Sequence, residues 1–155
     1  MADTLNARSL ERLKGVHPDL VAVVHAAVGM SDIDIEVSEG LRSLQRQQEL
    51  VAKGASQTLD SRHLTGHAVD LVPVIGGQMD WSHWDPFFRI AGFMRDAAKH
   101  LDVRMEWGAV WDKDLASLAD PQQESEWYAA RRRLKGKKAF LDGPHFQLNR
   151  AAYPA

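Results

Sequence analysis

Asp70 is a carboxylate in a place that does not suit one. The stretch Ala68-Val69-Asp70-Leu71-Val72-Pro73-Val74 is otherwise apolar and rich in β-branched residues, so it reads as a strand that Gly76-Gly77 terminates. On a strand, positions 68, 70 and 72 share one face, which sets Asp70 between Ala68 and Val72. A bare carboxylate there is costly unless it is paired or bound to a cation. Pairing with an Arg, or capping a turn, is the ordinary outcome for such an Asp. Two neighbours open another: His63 and His67 lie within seven positions upstream, and imidazole with carboxylate is a zinc ligand set.

His63 and His67 have the i, i+4 spacing of the His-Glu-x-x-His zinc helix, but position 64 is Leu and Gly66 interrupts a helix. In a second arrangement the loop carries His63 back toward the strand, so that His63 and Asp70 converge on one ion while His67 points elsewhere. The third ligand then has to come from far along the chain. His145 is the candidate: in Pro144-His145-Phe146-Gln147-Leu148, alternation sets His145 and Gln147 opposite the core-facing Phe146 and Leu148. Three protein ligands and a water make a catalytic zinc, whereas a structural zinc takes four, often Cys, and this chain has Cys 0. Asp142, in the turn Asp142-Gly143-Pro144, is placed to act on a water at the ion as general base. Before Gly, an Asp is otherwise a plain turn residue.

These residues resemble a known family. Ser61-x-His63-x-x-Gly66-x-Ala68-x-Asp70, with a distant Asp142-x-x-His145, is similar to the signature of the zinc D-alanyl-D-alanine carboxypeptidase superfamily. More narrowly, Ser38-Glu39-Gly40-Leu41-Arg42-Ser43, Gly54-Ala55-Ser56-Gln57-Thr58 and residues 61–70 resemble phage endolysins that are L-alanyl-D-glutamate endopeptidases. The resemblance implies zinc on His63, Asp70 and His145, Asp142 as general base, and Arg42 directed at the carbonyl under attack. It also implies that Gln47 and Ser61 help to hold a peptidoglycan stem peptide, whose L-Ala–D-Glu bond would be hydrolysed to lyse a host cell. A D-Ala-D-Ala carboxypeptidase of the same fold is the alternative. The likeness departs after Trp107-Gly108-Ala109-Val110-Trp111: the family passes quickly to its terminal Asp-x-x-His, and here a helical segment is inserted at about 112–140.

The elements that must position these residues follow from periodicity and punctuation. Residues 5–13 read as a short opening helix, and His17-Pro18-Asp19 starts a second, with Leu20, Val24, Ala27 and Val28 on one face and Gly29 closing it. Residues 34–39 alternate as a strand turned at Gly40. Ser43 then caps a helix to about Lys53, with Leu44 and Val51 inward and Gly54 ending it. Asp85-Pro86 opens a helix carrying Phe87, Ile90, Ala91, Met94, Ala98 and Leu101. A strand at 103–107 and a helix capped by Asp120-Pro121, running to about Leu134 before Gly136, precede the closing strand. No Gly-rich phosphate loop follows the first strand. The fold expected is a small single α+β domain over 1–155, with a mainly antiparallel sheet packed by helices and the zinc site at the sheet.

Composition bounds the partners. The 155 residues carry a formal charge of −2, so polyanion binding would have to be local. The local candidate is Arg131-Arg132-Arg133 with Lys135, Lys137 and Lys138, which raises an envelope or nucleic-acid binding module as a different class of function. Cations near a helix C-terminus are favoured by its dipole without any ligand, so the expectation is no nucleic-acid partner, with contact to an anionic envelope open. Trp81 and Trp84 are expected in core or pocket wall rather than on a glycan platform. The N-terminus lacks the pattern of a signal peptide and no apolar run spans a bilayer. A monomer made in a host cytoplasm and later released to the wall is expected.

Overall fold

Alternation along the strands that carry the site dictates a sheet with one face for the core and one for polar side chains. The computed structural model describes residues 5–56 and 58–154. Met1 to Thr4, part of the segment read for a leader, and Gln57 of the loop motif lie outside the described residues, as does Ala155. The elements are α1 (Ala7–Arg12), α2 (Pro18–Met30), β1 (Asp34–Glu39), α3 (Leu44–Ala52), β2 (Ala68–Ile75), β3 (Gln78–Met79), α4 (Trp84–Leu101), β4 (Met105–Trp107), α5 (Pro121–Leu134) and β5 (His145–Leu148), with 3₁₀ turns at Arg62–Thr65 and Leu115–Ser117. All strand pairings are antiparallel in the order β1-β2-β5-β4, and β3 pairs with the far end of β2 through the Gly76-Gly77 turn. The α+β class and the antiparallel sheet are as expected from sequence.

Register separates the two faces. Val37 sits opposite Leu71, Val69 opposite Phe146, and Met105 opposite Leu148, all of them buried in one cluster beneath α2 and α4. Asp70 sits opposite His145, Ala68 opposite Gln147, and Glu106 opposite Gln147, on the other face. Burying the apolar row supplies the driving force; the second row is left free for polar chemistry.

Four local expectations are corrected. Gly29 lies inside α2, which runs on to Met30; the chain leaves the helix at Ser31, whose hydroxyl accepts from the Ile33 N–H and donates to the Ile33 carbonyl. Leu44 is exposed and Val51 only half-buried, because the side of α3 that turns inward carries Gln47 rather than its leucines. Leu101, expected on the buried stripe of α4, is partly exposed where the chain exits through the left-handed Asp102. The short β3 carries too few residues for an alternation to show. The basic run ends α5, where Arg131 forks onto Asp112 and Arg132 donates to the Lys138 carbonyl.

Gly66 ends the 3₁₀ turn that carries His63, with φ +76°, and a Cβ there would collide with the Gly15 carbonyl oxygen. Gly54 has the same φ with open space around it. Both Gly→Ala variants incur the left-handed penalty of about 1–2 kcal/mol, and only Gly66→Ala adds a clash with backbone. Thermal melting should show a fall of about 2–4 °C per kcal/mol in a chain of this size, larger for Gly66→Ala than for Gly54→Ala. Equal shifts would mean that the loop at Gly15 gives way freely.

Candidate active site

Two side chains seven residues apart and a third from far along the chain meet where β2 and β5 pair. Asp70 and His145 are cross-strand neighbours, which sets their side chains on the same face. His63 arrives from the 3₁₀ turn, whose backbone is tied down by Ser61 at its cap and by the His17 N–H donating to the Gly66 carbonyl. His63, Asp70 and His145 each present one ligand atom, all within 4.8 Å of one another. His67, four residues on, turns away: its Nδ1 bonds the Thr65 hydroxyl and its ring lies beside His17.

Hydrogen bonds on the outer sides of the two imidazoles determine what they offer inward. His63 Nδ1 lies 2.8 Å from the Gly40 carbonyl oxygen, an acceptor only, so this nitrogen carries the proton and Nε2 faces Asp70 Oδ1 at 3.2 Å. His145 Nε2 lies 2.9 Å from Gln147 Oε1, so it donates there and leaves Nδ1 facing the same Asp70 oxygen at 3.3 Å. Two nitrogen lone pairs and a carboxylate converge, and such a set needs a proton or a metal cation at its centre. The donor set fits a divalent metal on this ground alone. Without a metal the proton takes the place: burial works against charge on His145, but the hydrogen bond and charge of Asp70 outweigh it and raise its pKa. Burial likewise opposes ionisation of Asp70, yet His63 and His145 hold its carboxyl far below the usual range.

Arg42 reaches the site as a clamped cation. The register shift in β1 between Val37 and Glu39 places Glu39 opposite Asp70, and Glu39 Oε2 accepts from Arg42 Nε at 2.6 Å. Arg42 Nη1 donates to Gln47 Oε1 at 2.6 Å, and Nη2 stands 3.7 Å from Asp70 Oδ2. Gln47 is fully buried; its amide nitrogen donates to the Ser56 hydroxyl and to the Thr58 carbonyl. Its polar atoms thus bond Arg42, Ser56 and Thr58. Ser61 lines the cavity while its hydroxyl accepts from the His63 N–H.

Asp142 approaches from the opposite wall. Its N–H donates to the Gly108 carbonyl, Gly108 N–H donates to the His145 carbonyl, and the indole of Trp107 donates to the Gly143 carbonyl. A Cβ at Gly108 would strike Asp142 and His145, so only glycine lets the turn lie this close. Burial first, and then the nearby Asp70 carboxylate, push the Asp142 carboxyl up to about 6, near the pH at which a general base works best.

These groups line one cavity of about 720 Å³, together with Trp81, Trp111 and Phe140 on its walls. Trp81 is exposed at the rim, Trp84 packs on Phe87 and Phe88, and Trp107 is the indole of the core. The expectation of core or cavity wall holds for Trp107 in the core and for Trp81 and Trp111 on the wall, while Trp84 is exposed and lines neither. Sequence reasoning did not single out Glu39, Gln147 or Trp111, whose ring tilts against His145. Only Gln147 had a signal: alternation placed it on the His145 face.

The family model of the phage L-alanyl-D-glutamate peptidases matches residues 1–149. An L-alanyl-D-glutamate peptidase of Escherichia phage T5 is 30% identical over 115 residues, 72% of this chain and 84% of that protein. One from Listeria phage A118 is 26% identical over 150 residues, 95% of this chain but 43% of the length of that relative. The crystal structure of the Serratia marcescens L-Ala D-Glu endopeptidase ChiX superposes with a TM-score of 0.73 at 43% identity, covering 99% of this chain and 96% of that one.

Because the pKa of His145 is raised in the metal-free fold, its contribution to stability is fully present below pH 6.5 and is lost as pH rises through the raised value. Melting in a chelator between about pH 6 and about pH 9 should show a declining Tm that a His145→Gln variant flattens. An identical slope in both proteins would remove the proton from this place.

Proposed function

The chain belongs to the phage L-alanyl-D-glutamate peptidase family, and on that premise we propose that it is a zinc-dependent endolysin that hydrolyses the L-Ala–D-Glu bond of peptidoglycan stem peptides. One observation carries the metal: two imidazole lone pairs, aimed inward by their outer hydrogen bonds, meet the Asp70 carboxylate. Nitrogen and oxygen donors without Cys suit zinc, and three ligands are the complement of a catalytic rather than a structural site.

Zinc held by His63, Asp70 and His145 would polarise the scissile carbonyl and make a water acidic enough to attack near neutral pH. The remaining work falls to the chain. Asp142 takes the proton of the attacking water and returns it to the D-Glu nitrogen as the C–N bond breaks. Arg42, permanently charged and held by Glu39 and Gln47, has Nη2 left to meet the negative charge that grows on the carbonyl oxygen. Gln47 is a positioning residue for Arg42, and Ser61 holds the 3₁₀ turn beside the substrate. Segment 112–140 is an insertion in this reading, closing the wall between Trp111 and Phe140, where the Trp111 indole donates to the Phe140 carbonyl. Among the described residues no helix is long and apolar enough to cross a membrane. The protein is made in a host cytoplasm and acts as a monomer on the wall after release, in the same reading.

Digestion of purified peptidoglycan should free N-terminal D-Glu on stem peptides, read by mass spectrometry; release of a single D-Ala instead would assign the carboxypeptidase. Metal analysis should find one zinc per chain, lost in His63→Ala and His145→Ala and kept in His67→Ala. Asp142→Asn should keep zinc and lose about two to four decades of rate, because an amide cannot accept the proton. Arg42→Lys should lower kcat with little change in KM, by roughly two to three decades if it serves the oxyanion alone. A rise in KM alone would make Arg42 a ground-state carboxylate binder.

A further inference from the structure

Beyond the site lies a second cavity of about 470 Å³, which shares Trp111, Gln147 and Arg150 with the first, so the two form one groove. Its direction is set by the strands. From Asp70 and His145 one end of the groove runs back along β2 toward Trp81, whose neighbour Asp80 is bonded to the Pro73 carbonyl. The other runs past Gln147 to Asn149 and Arg150. The first end carries the Trp81 indole; the second holds Arg104, Glu106, Asp112, Lys113, Asp114 and Arg150. Most of these charges are already matched: Arg104 with Asp114, Asp112 with Arg131, Lys113 with Glu124, and Arg150 with the exposed Asp60. Glu106 is different. It is half-buried, accepts one hydrogen bond from the Asn149 amide, and forms no ion pair among the described residues.

The stem peptide has a matching polarity. On the alanine side of the scissile bond it is neutral. On the other side, D-glutamate keeps a free α-carboxylate and is joined through its γ-carboxyl to a diamino acid. Six bonds separate the scissile nitrogen from the α-carbon of that third residue, roughly 7 Å, and its side-chain amine lies roughly 6 Å further. The four steps along the chain from His145 to Asn149 span roughly 13 Å.

Resting on the function proposed above, we propose that the second cavity is the subsite for the diamino acid of the stem, with Glu106 receiving its side-chain ammonium and Arg150 the α-carboxylate of the intervening D-glutamate. The ion pair of Arg150 with Asp60 is solvent-exposed and readily exchanged for a substrate carboxylate. Glu106 stands cross-strand from Gln147, which holds His145, so this subsite begins one residue from the metal ligands. The stem is thereby oriented with its glycan end toward Trp81.

The test uses synthetic N-acetyl-L-Ala-γ-D-Glu-X tripeptides with the zinc-loaded enzyme and follows release of N-acetylalanine. With X as lysine, KM should be roughly five- to tenfold below that for norleucine, and Glu106→Gln should abolish this preference. Amidation of the D-Glu α-carboxylate should raise KM in the wild type, and Arg150→Met should remove that sensitivity. Cleavage of the norleucine peptide by each variant shows that it is folded. Equal KM for lysine and norleucine in the wild type, or a preference that survives Glu106→Gln, overturns the ammonium site; sensitivity to amidation that survives Arg150→Met overturns the carboxylate site. Failure of the wild type to cleave any of the peptides defeats the function itself, and the subsite with it.

Discussion

The Asp70 carboxylate held between two imidazoles is the interaction on which the rest of the structure depends. Its side chain is 18% exposed, and its one oxygen faces both His63 Nε2 and His145 Nδ1. Removing a charge from water on this scale is tolerated only where opposite charge is supplied locally. Each support of the site can be read as a way to keep those two rings from turning. Gln147 holds one and the Gly40 carbonyl the other. Gly40 can offer its carbonyl there because a Cβ at that position would collide with the Arg12 carbonyl oxygen, so the turn after β1 is pressed against the end of α1. The turn bearing His63 is pressed in the same way against Gly15. The end of α1 and the loop after it, which carry no chemistry, therefore determine where His63 lies.

His145 and Asp142 are braced from β4. Gly108 exchanges backbone hydrogen bonds with Asp142 and His145, and two indoles, Trp107 and Trp111, donate to carbonyls at Gly143 and Phe140. The two braces reach the site from opposite ends of the sheet order. Rotating either ring would break a hydrogen bond in a place where water does not replace it, and this gives the ligand atoms fixed directions before any cation binds.

Charge around the carboxylate is layered. Arg42 is neutralised by Glu39 and held by Gln47, leaving one edge of the guanidinium toward Asp70 Oδ2. Asp142, forced to share the cavity with Asp70, gains basicity from burial and from that neighbour. One carboxyl is thus held ionised and the other is pushed up toward neutral pH, although both are the same residue type. Environment alone divides the roles.

Much of this was legible in the sequence, for a physical reason. Strand alternation and helix punctuation are local, so β1 and β2, the caps at Ser43 and Asp120, and the facing of His145 and Gln147 away from Phe146 and Leu148 follow from neighbours along the chain. Asp70 was visible because a charged residue in an apolar alternation has no local explanation. What only the tertiary structure decided depends on contacts that no local pattern along the chain records. Nothing near Gly40 in sequence indicates that its carbonyl sets the tautomer of His63, and nothing near Glu106 places it beside Gln147. Gln47 shows the limit most clearly. The family resemblance implied that it helps to hold substrate, and nothing local indicates that the fold buries it against Arg42, Ser56 and Thr58. Local pattern determines which residues face the same way; the register between strands and the approach of loops determine which of them meet.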